Sequence, residues 1–204
     1  MMKDIPLYNG ERIDDLQFAD LHIIQSNDAF RFSMDSVLLS DFASLSPGCR
    51  VCDLGTGTGI IPLLLYGRNN TILCDAVEIQ EDAAERAQRS VALNNAESSI
   101  HIHHGDLREI RNLLPHAQYS LVTCNPPYAA AGAAIPSPKP AIQGARQEAT
   151  CTFEDVAKAA NWLLKDHGKF CFMLPAYRLS EAIHTMQPLR LEIKRLRLVH
   201  STPD

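Results

Sequence analysis

Arg50-Val51-Cys52-Asp53-Leu54-Gly55-Thr56-Gly57-Thr58-Gly59 is the stretch that decides the fold. A short apolar run followed by alternate glycines reads as a buried strand entering a tight turn, and Ile60 to Tyr66 continues it as a short apolar helix. The glycines let the backbone come close to a ligand, and the helix start offers unpaired N–H groups. Spacing excludes two ligands. A dinucleotide turn needs glycine at 55, 57 and 60, and position 60 is isoleucine. No G-x-x-x-x-G-K-[ST] occurs, so a P-loop is excluded. Asp53, just ahead of the glycines, would repel a pyrophosphate and suits an ammonium group.

The same alternation extends outward. Strands are expected at Thr71–Val77, Ile100–His103, Tyr119–Cys124, Gly168–Leu174 and Leu191–Val199. Helices are expected over Gln80–Asn94, Phe153–Lys165 and Leu179–Met186. Such alternation implies crossover units and a parallel sheet, here an α/β, Rossmann-like, doubly wound one, with ligands outside the carboxyl ends of its strands. Residues 1–48 precede this alternation and form an N-terminal hairpin and helix cap to a domain over 49–204. The hairpin is expected from Leu21–Gln25 and Ala29–Phe32 around Ser26-Asn27-Asp28, with Ser33 capping a helix that runs to Ser44. Residues 129–145, with small residues and three prolines, read as a flap.

Composition narrows the classes. Of 204 residues 46% are apolar and 21% charged, which suits one packed domain and argues against disorder. No apolar stretch approaches the ~20 residues of a membrane span, and Met1-Met2-Lys3-Asp4-Ile5-Pro6 has no apolar signal region. The chain is expected to be cytoplasmic. Nineteen basic residues against 24 acidic ones leave a net charge of −5, so any nucleic-acid surface must be local. Cys49 and Cys52 are a lone C-x-x-C without a second pair, expected to point to opposite faces of a strand entry rather than to hold a metal.

Three later positions carry further chemistry. Glu78 closes the second strand, where an acid can accept both hydrogen bonds of a ribose diol or simply favour a helix start. Asp106, after the third strand, can hold an adenine amino group or cap a helix. Asn125-Pro126-Pro127-Tyr128 closes the fourth strand. Two prolines fix φ and remove donors, so the Asn125 side-chain oxygen and the Pro126 carbonyl can accept two hydrogens from one planar amino group. Tyr128 can stack on a flat substrate.

Asp53-x-Gly55-x-Gly57-x-Gly59, Glu78, Asp106 and the Asn-Pro-Pro-Tyr turn together resemble the class I S-adenosylmethionine-dependent methyltransferases over residues 49–200. The resemblance implies that the glycine turn meets the methionine end of S-adenosylmethionine, Glu78 its ribose and Asp106 its adenine. Turns of this kind serve adenine N6, guanine N2 or glutamine amide nitrogen, which bounds the chemistry to N-methylation. Asn125 and Pro126 would polarise and aim that weakly nucleophilic nitrogen at the cofactor's methyl group.

Residues 28–39 (Asp28-Ala29-Phe30-Arg31-Phe32-Ser33-Met34-Asp35-Ser36-Val37-Leu38-Leu39), Ala145-Arg146-Gln147-Glu148 and Lys194–His200 are similar to the tRNA1(Val) adenine-37 N6-methyltransferase family. This implies an unpaired anticodon-loop adenine in tRNA as acceptor, a base cheap to splay out. Lys194, Arg195 and Arg197 form a local cationic cluster, with Arg146 and Lys139 beside the flap, which can bind phosphates or make a solvated face, and Asp35 can approach the cofactor's charged end or simply sit in a helix's first turn. A release-factor glutamine N5-methyltransferase, an rRNA guanine N2-methyltransferase and a binding protein without catalysis are the rivals. The first usually carries a larger N-terminal helical domain, and the last predicts decay at Asp53, Glu78 or Asn125. Members of the class usually end in an antiparallel seventh strand. Only five residues follow Val199 here, so that strand is expected to be missing, leaving a monomer or a weak dimer through an exposed sheet edge.

Overall fold

The computed structural model describes residues 3–27, 33–126 and 151–200. Its strands are β1 (Glu11–Asp15), β2 (His22–Ser26), β3 (Arg50–Leu54), β4 (Leu73–Glu78), β5 (Ile100–His104), β6 (Tyr119–Cys124) and β7 (Leu164–Phe172). Its helices are α1 (Met34–Phe42), α2 (Ile60–Arg68), α3 (Glu81–Leu93), α4 (Ile110–Leu113), α5 (Phe153–Leu163) and α6 (Leu179–Met186). The order β5-β4-β3-β6-β7 makes a five-stranded sheet, parallel at every pairing. The chain leaves β3 in one direction for β4 and β5, then returns to the other side of β3 as β6. The switch point therefore lies between β3 and β6, where a crevice opens at the carboxyl ends of the strands.

Alternation along each strand sorts its side chains between two cores. Val51, Cys74, Ile100 and Leu121 pack with Leu39, Leu63, Leu65 and Val91 from α1, α2 and α3. Cys52, Leu54, Val77 and Val122 pack with Ile110, Val156, Ala160 and Leu163 from α4 and α5. Leu63 and Leu65 are completely buried, each contributing about 1.5–3 kcal/mol. Cys49 and Cys52 lie in opposite cores, as the strand-entry reading requires, and all six cysteines are free thiols. A capping box closes the start of α5, with Thr152 Oγ1 accepting from the Asp155 N–H and the Asp155 carboxylate accepting from the Thr152 N–H.

Three features differ from or add to the expectations. First, β2 pairs antiparallel with β1, from Glu11↔Ser26 to Asp15↔His22, a partner the sequence did not announce; the expected partner Ala29–Phe32 lies outside the described residues. The charged segment Glu11–Asp15 carries no strand alternation. What selects it is a set of contacts to α3: Glu11 bonds Arg86 and Arg89, while the Ile24 N–H donates to Ser90 Oγ at 3.0 Å. Second, β7 starts earlier, at Leu164, because its register against β6 jumps from Tyr119↔Leu164 to Leu121↔Lys169. The polar turn Lys165–Gly168 bulges out of the ladder at that jump. Third, Leu191–Val199 forms no strand. Lys194, Arg195 and Arg197 interrupt its apolar pattern, and the two arginines turn onto the Phe42 ring of α1, with guanidinium carbons 4.4 and 5.3 Å from its centre. Ile193, Leu196, Leu198 and Val199 remain 42–61% exposed. Among the described residues β7 pairs with β6 alone.

Candidate active site

The turn after β3 is stitched to the end of β4. The N–H groups of Gly55 and Thr56 donate to the Val77 carbonyl at 2.9 and 3.1 Å. Gly57, at φ +58°, donates its N–H to Glu78 Oε2 at 2.8 Å. Gly59, at φ +81°, starts α2, and a Cβ there would come 3.2 Å from the Ala87 Cβ of α3. These two positions need glycine for different reasons, left-handed backbone and close helix approach. A Cβ on Gly55 or Gly57 would meet nothing within 4 Å, so the outer side of the turn is open.

Asp53 is completely buried. Its Oδ1 accepts from Thr123 Oγ1 of β6 at 2.6 Å. Among the described residues its Oδ2 and Thr56 Oγ1, both buried, complete no hydrogen bond, although the nearby Thr56 hydroxyl still favours the charged carboxyl. Burial dominates and pushes the Asp53 carboxyl up to about 7, with Thr123 and Thr56 opposing it and Glu78 adding repulsion. An orphaned carboxyl oxygen in this state responds strongly to a cation, which favours the ionised form.

Glu78 is nearly buried, and its other oxygen accepts from the Gln80 N–H at 2.9 Å. Asp106 caps the short helix at Leu107–Glu109, accepting from the Arg108 N–H. The Arg108 guanidinium also bonds this carboxylate and holds it below the usual range. Capping, one of the two sequence readings of Asp106, is thus realised.

Asn125 follows β6 directly. Because Leu54 pairs with Cys124, Asn125 and Gly55 emerge from adjacent strands at the switch point. The Asn125 Nδ2 donates to Ser36 Oγ of α1 at 3.1 Å. Asp35 precedes Ser36 in the first turn of α1, half-buried. Pro126 is half-buried beside Asn125. Tyr128, Lys139 and Arg146 fall outside the described residues. Lys194 pairs with Glu192, Arg195 Nη1 donates to Ser44 Oγ at 3.1 Å, and Arg197 pairs with Asp41 at 3.1 Å.

The structure thus brings Asp53, Gly55, Gly57, Glu78 and Asn125 to one end of the sheet, and sets Arg195 and Arg197 against α1. Sequence reasoning missed Ser36 and Thr123. A lone polar residue inside the apolar run Leu121-Val122-Thr123-Cys124 was a readable signal for Thr123. Ser36 had none, because its partner is a residue distant in sequence.

The family model for the methyltransferase small domain matches residues 32–176. The chain belongs to this family. Its glycine turn, Glu78 and Asn125 all lie within the matched region. The tRNA1(Val) (adenine(37)-N6)-methyltransferase of Erwinia tasmaniensis is 34% identical over 160 residues, covering 78% of this chain and 64% of that protein. The protein of the same name from Musicola paradisiaca is 31% identical over 180 residues, covering 88% and 71%. This methyltransferase-family chain therefore spans about two thirds of the length of these curated relatives. Among solved structures, the ribosomal protein L11 methylase of Lactobacillus delbrueckii subsp. bulgaricus superposes with a TM-score of 0.61 at 17% identity, covering 84% of this chain and 76% of that one. That likeness shows a shared fold.

Proposed function

We propose that the chain is an S-adenosylmethionine-dependent N-methyltransferase acting on the N6 amino group of an adenine in tRNA. The reading is carried by Asn125, set beside the glycine turn at the switch point of a methyltransferase sheet. The residues fit the cofactor: an orphaned buried carboxyl oxygen on Asp53, open space over Gly55 and Gly57, and an acid, Glu78, closing the next strand. Bound S-adenosylmethionine supplies an electrophilic methyl group on a sulfonium. Asp53 and the glycine turn would hold its amino-acid end, Glu78 its ribose and Asp106 its adenine, with Asp35 nearby.

The acceptor amino group is planar, and its lone pair is delocalised into the ring. Asn125 Oδ1 and the Pro126 carbonyl would accept its two hydrogens, fix its plane and raise electron density on nitrogen. Tyr128 would stack on the base. The names of the relatives favour the anticodon-loop adenine 37 of tRNA1(Val) as that base. Lys194, Arg195, Arg197, Arg146 and Lys139 are the proposed phosphate contacts. The first is well exposed and Arg197 half-exposed, so tRNA would exchange their carboxylate partners for phosphates.

Nucleoside mass spectrometry after incubation with total tRNA and labelled S-adenosylmethionine tests the reading. N6-methyladenosine in tRNA1(Val) is expected. Label only on a release-factor glutamine, or only in N2-methylguanosine of rRNA, would replace it with a rival, and no transfer to any of the three would end it.

Glu78→Ala is expected to weaken cofactor binding by about 1–3 kcal/mol. It removes two acceptor oxygens and also frees the Gly57 N–H that Glu78 now holds. Calorimetry with S-adenosylmethionine measures this, and an unchanged affinity would remove Glu78 from the site.

A further inference from the structure

We propose that Thr123 is a positioning residue that keeps the buried Asp53 carboxyl charged and held for the cofactor's ammonium group. The proposal rests on the reading of Asp53 as a partner of the cofactor's amino-acid end. Asp53 and Thr123 are both completely buried. They face each other in register across β3 and β6, and the Thr123 hydroxyl lies 2.6 Å from Asp53 Oδ1. One carboxyl oxygen is thus held by β6, while Oδ2 has no hydrogen-bond partner among the described residues. A buried carboxylate left in this state is costly until a cation arrives.

A hydroxyl can donate or accept, but an ionised carboxylate only accepts. Against charged Asp53 the bond therefore has one direction, with Thr123 as donor. Protonation at Oδ2 makes Oδ1 a neutral carbonyl, and the bond loses its charge assistance. Protonation at Oδ1 sets two hydroxyls against each other, and one of them loses its acceptor. Thr123 thus favours the charged form over either neutral one. The surroundings give little other help. Glu78 of β4 repels the charge, and Thr56 in the turn supports it. The thiols of Cys74 in β4, Cys124 in β6 and Cys52 in β3 also interact with Asp53, and burial keeps all three protonated. Burial pushes the Asp53 carboxyl up to about 7, so near neutral pH the loss of one charge-assisted bond tips it toward the neutral form. Only the charged form attracts an ammonium group. Affinity for the cofactor should therefore rise as Asp53 ionises, and without Thr123 that rise should move to higher pH. Thr123 acts through Asp53 and touches no reacting atom.

The first arm of the test needs no cofactor. In the full chain labelled with 13C at its aspartate carboxyls, the Asp53 signal, assigned by its loss in Asp53→Asn, should titrate at about 7 in wild type and clearly higher in Thr123→Val, which keeps the branched shape. The second arm is calorimetry with S-adenosylmethionine. Thr123→Val should weaken binding roughly five- to tenfold at pH 6 and less than about twofold at pH 8.5. Deprotonation of the cofactor's own ammonium group is common to both proteins and cancels in this ratio. Thr123→Ser should restore the titration and the affinity. Should Thr123→Val fail to fold, Thr123→Ala gives the same comparison. A role in strand packing alone would weaken binding equally at both pH values. That result, or a carboxyl that titrates alike in wild type and variant, would overturn the proposal. A wild type that binds no S-adenosylmethionine would instead overturn the cofactor reading, with the carboxyl titration still deciding whether Thr123 keeps Asp53 charged.

Discussion

Asn125→Ala is expected to lower the rate of methyl transfer by roughly two orders of magnitude or more, with affinity for S-adenosylmethionine largely intact. The effect is large because the proposed reaction has no strong base to fall back on. Activation of the amino nitrogen rests on two fixed acceptors, and the Pro126 carbonyl alone cannot align a group with two hydrogens. Removing Asn125 also takes away the donor that Ser36 of α1 accepts from. Cofactor binding is expected to survive because Gly55, Gly57, Glu78 and Asp53 are held by β4 and Thr123. Single-turnover transfer to tRNA, paired with calorimetry, separates the two effects. Near-normal turnover would sink the mechanism.

Arg89→Ala is expected to cost about 3–5 kcal/mol of stability, roughly 6–20 °C in Tm for a chain of this size. Arg89 lies almost wholly inside, its side chain 10% exposed. It donates to both Glu11 oxygens at 2.7 Å, to Glu85 at 2.7 and 2.8 Å and to the Pro6 carbonyl at 2.9 Å. Its guanidinium also stacks over Tyr8, 4.2 Å from the ring centre. Without it Glu11, 4% exposed, keeps only Arg86 at 3.0 Å among its charged partners. A buried carboxylate half-stripped of its partners is the costly outcome, more than the loss of the bond itself.

Acid unfolding supplies a second readout. Arg89 holds the Glu11 carboxyl down to about 2. A lowered carboxyl pKa stabilises the fold above the unfolded value near 4.5, and that contribution is lost as pH falls through about 2. In Arg89→Ala this pH dependence should shrink. Urea titrations at pH 7 and pH 3 measure both, and a loss below about 1 kcal/mol at pH 7 would show that the network does not hold the hairpin to α3.

Much of the frame was legible in the sequence because it depends on local rules. Apolar runs of strand length, separated by helical periods, dictated a parallel sheet with helices on both faces. The spacing Gly55-x-Gly57-x-Gly59 excluded a dinucleotide turn without any structure, since position 60 must carry a side chain. The Asn-Pro-Pro sequence pointed to the two acceptors of the proposed reaction, because proline chemistry acts on its own backbone. Tertiary structure alone decided matters that depend on a distant partner. Glu11–Asp15 carries no strand pattern and became β1 because α3 offers it Arg86 and Arg89. Leu191–Val199 carries enough apolar residues for a strand, yet its arginines find Phe42 and Asp41, and the ladder is not formed. Asp53 read as an acid suited to an ammonium group, and its burial against Thr123 was set by the packed sheet alone. Ser36 reads as any helical serine until α1 folds across the end of β6. Local pattern fixes the elements through backbone and periodicity, whereas the pairing of buried polar groups is set by which surfaces the folded chain brings together.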